Sequence, residues 1–375
     1  MKNNMWKKWL AAALAGTVIL GMTACGGDSG SGDTGSTKEA GNTEGKEGEE
    51  SQEKAGKVAI VYTVTGKGDL SFNDSAYKGA EKAVEELDVE LVEVEPTSLS
   101  DTEQAFEEMS AEGDYDLIIG LTYEPLDAIT AVAPNYPDQK YALIDTDAGQ
   151  DNVESYIARE NESAFLAGCF AALMQQEKGT LLNDDKKAIG IVPALDADVP
   201  NRHVAGYTCG AKFIDPEVEV MVDYVGDFSD TAAAQAIAET MYNNGADIIY
   251  QVAAGAGLGV FKTAEDDQFM AIGLDDNQNY LNPDIIGMST LKMVDEFVYT
   301  AIEDAISDNF KGGEVMSMGL KEGGVSYTFD DSNVEVPQNV KDALEEIKEM
   351  IINGDIEVPN KVADIDGFSA SYVKK

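Results

Sequence analysis

The stretch of this chain best equipped for recognition chemistry is a polar turn that carries an aromatic ring, Gly68-Asp-Leu-Ser-Phe-Asn-Asp-Ser75. It lies between a β-branched run at 57–64 and a helical pattern in which Ala76, Ala80, Ala83, Val84 and Leu87 share one face. Such a turn at the carboxyl end of a parallel strand is where open α/β sheets bind ligands, because helix-start N–H groups and polar side chains converge there. Asn73 or Asp74 is placed to cap the helix, and that role alone accounts for an amide or carboxylate at this point. Phe72 is either tucked beneath the loop or offered to a flat ligand.

Gly255-Ala-Gly-Leu-Gly259 follows a strand at 248–252, and Asp275 lies 20 residues after Gly255, which is the outline of a dinucleotide fingerprint. The spacing is G-x-G-x-G, with Val260 where a third glycine belongs, so a cleft wall is favoured over a pyrophosphate cradle. Asp275-Asp-Asn-Gln-Asn279 opens like a calcium loop, but Tyr280 stands where an EF-hand needs Gly and Ile286 where it needs Glu. Metal is not expected. These side chains are either a solvated turn or acceptors for hydroxyl groups. Lys292 is read as opening a long helix, where a cation opposes the macrodipole, so it is a solvated surface charge or a recognition residue. Catalysis finds little support: the single histidine, His203, is accompanied by no zinc spacing, paired cysteines or G-x-S-x-G elbow.

These residues need a scaffold, and the hydropathy pattern supplies an alternating one. Strands are expected at 58–64, 89–94, 117–121 and 141–145, and a helix at 162–175 carries the chain out of a first lobe. The pattern restarts with strands at 188–192, 218–224, 248–252 and 270–274, with a helix at 231–243. After 285–290 come a long helix at 292–307, a glycine-punctuated β region at 315–329 and a last helix at 340–352. A chain of 375 residues exceeds what one core usually supports, which agrees with two lobes. The expected division is 56–186 and 187–290 for the lobes, with 291–375 completing both.

The first 24 residues do not belong to this scaffold. Lys2, Lys7 and Lys8 precede an apolar stretch at 9–24, too short for a membrane span and typical of an export signal. It ends Met22-Thr23-Ala24-Cys25, which resembles the lipobox of bacterial lipoproteins and makes Cys25 the expected lipidation site. Residues 25–55 then read as the lipidated cysteine and a tether, because Gly, Ser, Glu and Lys cannot offset the entropy of ordering. If flexible, that tether reaches about 30 Å. Removing the three signal lysines takes the formal net charge from −44 to −47. So acidic a surface repels nucleic-acid phosphates and anionic lipid heads, leaving the lipid as the expected membrane link. Cys169 sits in an apolar helical pattern, where a buried free thiol is favoured over pairing with Cys209.

Taken in order, several stretches resemble the basic membrane protein family of ABC-transporter substrate-binding lipoproteins, which includes purine-nucleoside receptors. They are Asp69-Leu-Ser-Phe-Asn73, Asn161-Glu-Ser-Ala-Phe-Leu-Ala-Gly168, Gly245-Ala-Asp-Ile-Ile249, Ala254-Gly-Ala-Gly-Leu-Gly259, Ile272-Gly-Leu-Asp275 with Gln278, and Ser289-Thr-Leu-Lys292. The resemblance spans most of 56–310. It implies an α/β protein of the type I periplasmic-binding fold, with two Rossmann-like lobes of parallel sheet joined by a hinge. It further implies a nucleoside ligand, an ABC permease as partner, a lipid-anchored extracytoplasmic location and neither cofactor nor catalytic residue. Asp69 and Asn73 look like contacts to the base, Phe72 and Tyr123 like aromatic walls, and Asp275 and Lys292 like partners of ribose hydroxyls. Gly257 would lend backbone, and Asp145, ending its strand, joins the expected site. Where the family has Gly-Gly and then a Phe in the second lobe, this chain has Pro193-Ala194 and His203, which then stacks and donates a hydrogen bond or is a surface turn residue. A receptor for another planar or sugar-like molecule, a dinucleotide-dependent enzyme and a surface adhesin are the competing readings. On this reading Lys292→Ala and Asp275→Ala each weaken ligand binding without unfolding the protein.

Overall fold

The computed structural model describes residues 55–177, 179, 181–182 and 186–372. The expected signal, Cys25 and the tether lie outside the described residues. The described residues form one compact unit. Its first half runs β1 (Gly56–Val61), α1 (Phe72–Leu87), β2 (Val89–Val94), α2 (Leu99–Glu112), β3 (Leu117–Leu121), α3 (Leu126–Val132), β4 (Tyr141–Ile144), β5 (Val153–Ala158) and α4 (Glu160–Met174). Next come β6 (Ala188–Pro193), α5 (Asp198–Ile214), β7 (Glu219–Val222), α6 (Thr231–Asn243), β8 (Ala246–Val252), α7 (Leu258–Asp267), β9 (Met270–Gly273) and β10 (Ile286–Lys292). The chain closes with α8 (Val294–Ile306), β11 (Val315–Met318), β12 (Val325–Thr328) and α9 (Gln338–Ile352).

Strands β3, β6 and β8 are buried along their whole length, as strands covered by helices on both faces must be. They form two six-stranded sheets, in the orders β11-β5-β4-β3-β1-β2 and β12-β10-β9-β8-β6-β7. All pairings are parallel except β10 with β12. The late strands thus complete one sheet each. In each sheet the order reverses beside the first strand, between β1 and β3 and between β6 and β8. At such a reversal the loops leave in opposite directions and open a crevice at the strands' carboxyl ends.

The chain crosses between sheets three times. Helix α4 follows β5 but packs on α5, α9, β10 and β12, whereas α8 follows β10 but packs on α1, β3 and β4. The first crossing therefore falls between β5 and α4, not at 186–187 where the repeating pattern suggested it. A hydropathy pattern marks that a helix is covered, not which sheet covers it. The third crossing joins β11 to β12.

Helices α4 and α5 meet backbone to backbone, which explains the glycines along them. A Cβ added to Gly168 would fall 2.0 Å from the Tyr207 carbonyl, at Gly206 2.1 Å from that of Asn161, and at Gly210 1.9 Å from that of Phe165. The 161–168 motif is thus, in large part, a helix-crossing surface. Cys169 and Cys209 are both buried free thiols, and the Cys169 thiol donates to the Gly210 carbonyl at 3.3 Å. Gly210→Ala should therefore lower the unfolding free energy by about 1–3 kcal/mol or more, since overpacking against backbone cannot be relieved by a rotamer change. Urea unfolding beside Gly367→Ala, whose Cβ would meet nothing within 4 Å, checks this; equal midpoints would contradict it.

Candidate functional site

Both reversal points open onto one cavity, with about 690 Å³ of non-atom space counting its mouth. The first sheet contributes the loops after β1, β3 and β4: Thr63, Asp69, Phe72, Asn73, Thr122, Tyr123, Glu124 and Asp145. From the second come Val252 and Ala254 after β8, Leu274 and Asp275 after β9, Lys292 at the end of β10, and Pro200 and His203 from α5. Of the residues named from sequence, Asp69, Phe72, Asn73, Tyr123, Asp145, His203, Asp275 and Lys292 line this cavity. Gly257 does not. The place of its missing Cβ is taken by Gln251 Oε1 at 1.8 Å, and that of Gly259 by the Thr231 carbonyl at 2.2 Å. Those glycines serve internal packing, and the cleft wall there is Val252 and Ala254.

The opening turn is organised by Asp69. Its carboxylate accepts from the N–H groups of Ser71 (3.0 Å), Asn73 (2.9 Å) and Asp74 (3.2 Å), and from Asn73 Nδ2 (2.9 Å). Asp69, not Asn73 or Asp74, therefore satisfies the orphan donors at the start of α1. Asp74 reaches back instead, accepting from Gly68 and Leu70 N–H. Asn73 is also spent inside the loop, donating to Thr63 Oγ1 at 2.9 Å and accepting from Thr63 N–H at 3.2 Å. Burial pushes the Asp69 carboxyl up, against the pull of its backbone donors.

Lys292 ends a strand rather than opening a helix, so the helix-dipole mismatch expected there does not arise. Its ammonium, 4 % exposed, donates to Asp145 Oδ2 at 2.5 Å and Glu160 Oε1 at 2.8 Å, and lies 4.9 Å from the centre of the Phe72 ring. Glu160 also accepts from Arg202 at 3.1 Å. Burial raises the Glu160 carboxyl, but Lys292, Arg202 and His203 outweigh it and hold it down at about 2. Burial disfavours the charged lysine too, yet the neighbouring carboxylates hold its pKa above the ordinary lysine value. Asp145 is pushed up by burial, and its Oδ1 has no hydrogen-bond partner among the described residues.

Asp275 accepts from Ser71 Oγ at 3.0 Å across the cleft, and burial, with Asp145 and Glu160 nearby, raises its carboxyl to about 7. Gln278 Nε2 makes a second cross-cleft bond to the Leu70 carbonyl at 2.8 Å. His203 is an interior group, 3 % exposed, with Nδ1 3.0 Å from Tyr250 Oη. Burial, helped by Lys292 and Arg202, holds its pKa down at about 3, so the ring is neutral. Tyr123 stands at the rim, 39 % exposed. Leu70, Thr122, Asp145, Ala254 and Asp275 all have positive φ, between 46° and 77°. Such backbone costs energy in non-glycine residues and persists only where the surroundings over-determine it, as at ligand clamps.

Sequence reasoning missed Glu160, Arg202, Ser71 and Tyr250. Glu160 directly precedes the 161–168 motif and Arg202 directly precedes His203, so the nearest signal was adjacency to residues already singled out.

Two α/β lobes with a cavity at both topological reversals define a two-lobed solute-binding protein of the type I fold. A solved structure of an ABC transporter system solute-binding protein from Aeropyrum pernix K1 has the same fold, with TM-score 0.72, 31% identity, and coverage of 83% of this chain and 95% of that one. Residues 57–362 match the Bmp family, described as ABC transporter substrate-binding protein PnrA-like. This chain belongs to that family. It is 33% identical over 327 residues to the ABC transporter nucleoside-binding protein BmpA of Lactococcus lactis subsp. cremoris, covering 81% of this chain and 89% of the relative. An uncharacterized lipoprotein of Pyrococcus furiosus is 36% identical over 283 residues, covering 72% of this chain and 69% of the relative.

Burial revises what Lys292 substitution does. Lys292→Met leaves two buried carboxylates facing each other, and should lower stability by about 3–5 kcal/mol in urea unfolding at pH 7; a loss near zero would mean the pair is solvated. His203 gives a pH signature. Its folded pKa of about 3 lies below the unfolded value near ~6.5, so its contribution is full above that value and is lost as pH falls toward 3. Between pH 6.5 and 4 the wild type should lose stability more steeply than His203→Phe, by up to about 1.4 kcal/mol per pH unit. Parallel curves would place the histidine in water.

Proposed function

We propose that this substrate-binding protein captures a nucleoside in the interlobe cavity and delivers it to an ABC permease. The observation that carries the reading is the juxtaposition of an aromatic face, Phe72, with an acceptor-rich polar end formed by Asp145 and Asp275 beside Lys292. A base stacks on a ring, while sugar hydroxyls need acceptors held in place, and this cavity offers both. Asp69, Glu124, Asp145 and Asp275 line the cavity against the single lysine, which suits a neutral ligand and disfavours a phosphate. The Lactococcus relative's name points the same way. Closure is the mechanism: Ser71 with Asp275 and Leu70 with Gln278 join the lobes, and a ligand touching both walls favours the closed form by its differential affinity. The dinucleotide-enzyme reading is disfavoured, because Gly257 and Gly259 of the 255–259 stretch are taken up by packing against Gln251 and the Thr231 carbonyl. Cys25 is the proposed lipid anchor that keeps the receptor at the cell surface.

Calorimetry with purine and pyrimidine nucleosides tests this. Heat with at least one, weakened about a hundredfold by Phe72→Ala and by about tenfold or more when a 5′-phosphate is added, is the expected result. No heat with any nucleoside would end the reading. Cys25→Ser should release the protein from the membrane fraction, as judged by immunoblot of cells and medium.

A further inference from the structure

His203 begins a hydrogen-bond relay that runs away from the cavity. Its Nδ1 lies 3.0 Å from Tyr250 Oη, Tyr250 Oη lies 2.8 Å from Thr290 Oγ1, and Thr290 Oγ1 lies 3.3 Å from the Gly273 carbonyl. A carbonyl can only accept, so the direction of the relay is set from its far end. The Thr290 hydroxyl donates to Gly273, its oxygen accepts from the Tyr250 hydroxyl, and the tyrosine oxygen accepts from Nδ1–H. Tyr250, Thr290 and His203 are all buried. The tyrosine ring stands edge-on to the imidazole at 61°, with centroids 5.9 Å apart. A buried neutral imidazole, whose pKa is held down at about 3, carries one proton, and the relay places it on Nδ1. No hydrogen bond to Nε2 is formed among the described residues, and the ring lines the cavity.

We propose that this relay makes His203 Nε2 a fixed hydrogen-bond acceptor in the second-lobe wall, so that the ligand must present an N–H or O–H donor there. The statement about the ligand deepens the nucleoside reading and rests on it; the statement about the tautomer does not. A Phe at this position would offer only a ring face, and the opposite tautomer would offer a donor. A site built to pair a ligand hydrogen rejects analogues that lack it, because its own buried acceptor is then left unpaired. Thr290 lies outside the cavity lining and acts as a positioning residue.

The sequence contains a single histidine, so heteronuclear NMR of the full chain labelled in its histidine ring nitrogens reads the tautomer without ambiguity. The expected spectrum at neutral pH is that of Nδ1–H with a bare Nε2; an Nε2–H or doubly protonated pattern overturns the proposal. In Thr290→Val the tyrosine hydroxyl loses its acceptor and turns to Nδ1, so the tautomer should switch to Nε2–H. A wild-type pattern in that variant also overturns the relay. With whichever purine or pyrimidine nucleoside gives heat, the Nε2 resonance should move upfield on saturation, and Thr290→Val should bind it about tenfold more weakly. An unmoved resonance removes the ligand contact. If no purine or pyrimidine nucleoside gives heat the nucleoside reading fails, while the spectrum of the protein alone still decides the tautomer.

Discussion

The arrangement of this cleft depends on one buried cation. Lys292 leaves the second sheet where the chain crosses to α8, and Glu160 opens α4 where the chain has just left the first sheet, so their ion pair ties two crossing strands together. Taking a lysine and two carboxylates out of water is unfavourable, and only close pairing with further hydrogen bonds offsets it. Glu160 is satisfied on both oxygens, by Lys292 and by Arg202. That fixes the base of the cavity before any ligand arrives.

The third crossing is held by a parallel device nearer the surface. Arg159 pairs with Glu162 at 2.6 Å and with Glu322, and donates to the Ser317 carbonyl at 3.0 Å, while Leu320 N–H donates to Glu162 at 2.7 Å. These partners are partly exposed, so each bond contributes modestly, but together they register β11 and the turn before β12 against the start of α4. The two sets differ in what they permit. Solvated bonds rearrange at little cost, whereas Lys292 and Glu160 cannot part without leaving a buried charge behind.

Much of the scaffold was legible because it rests on local pattern. The runs at 89–94, 117–121 and 231–243 coincide with β2, β3 and α6, where β-branched residues or a clean apolar stripe end at polar breaks. The assignment of Lys292 to a helix start failed because the strand continues to its last residue before the chain turns over; nothing in Ser289-Thr-Leu-Lys292 marks that end. The hydrogen-bonding of Asn73 was hidden for another reason: an Asn after a turn serves a cap, a ligand or its own loop equally well, and Thr63, ten residues upstream, decides. The Lys292–Glu160 pair was beyond reach. Its members are 132 residues apart, and only the crossing of the chain between two sheets makes them neighbours.

The cleft also shows how closure and recognition are linked. On the proposed closure mechanism, Lys292, Glu160 and Arg202 stay near the crossing strands, while Asp145, from the first-lobe loop after β4, parts from the lysine and reaches water as the lobes separate. In this structure one oxygen of Asp145 is buried and has no hydrogen-bond partner among the described residues. An unmet acceptor of this kind costs about 1–3 kcal/mol, more for a charge. An arrangement with this oxygen buried is therefore penalised at the very wall a ligand would touch. On the nucleoside reading, a sugar hydroxyl that donates to Asp145 removes this penalty only when the lobes are together, and so stabilises closure by more than its own contact. The same logic applies to Asp275, whose raised carboxyl is stabilised by any donor that reaches it across the cleft, as Ser71 already does. On the nucleoside reading, a donor-bearing neutral molecule is then the piece that completes the closed state.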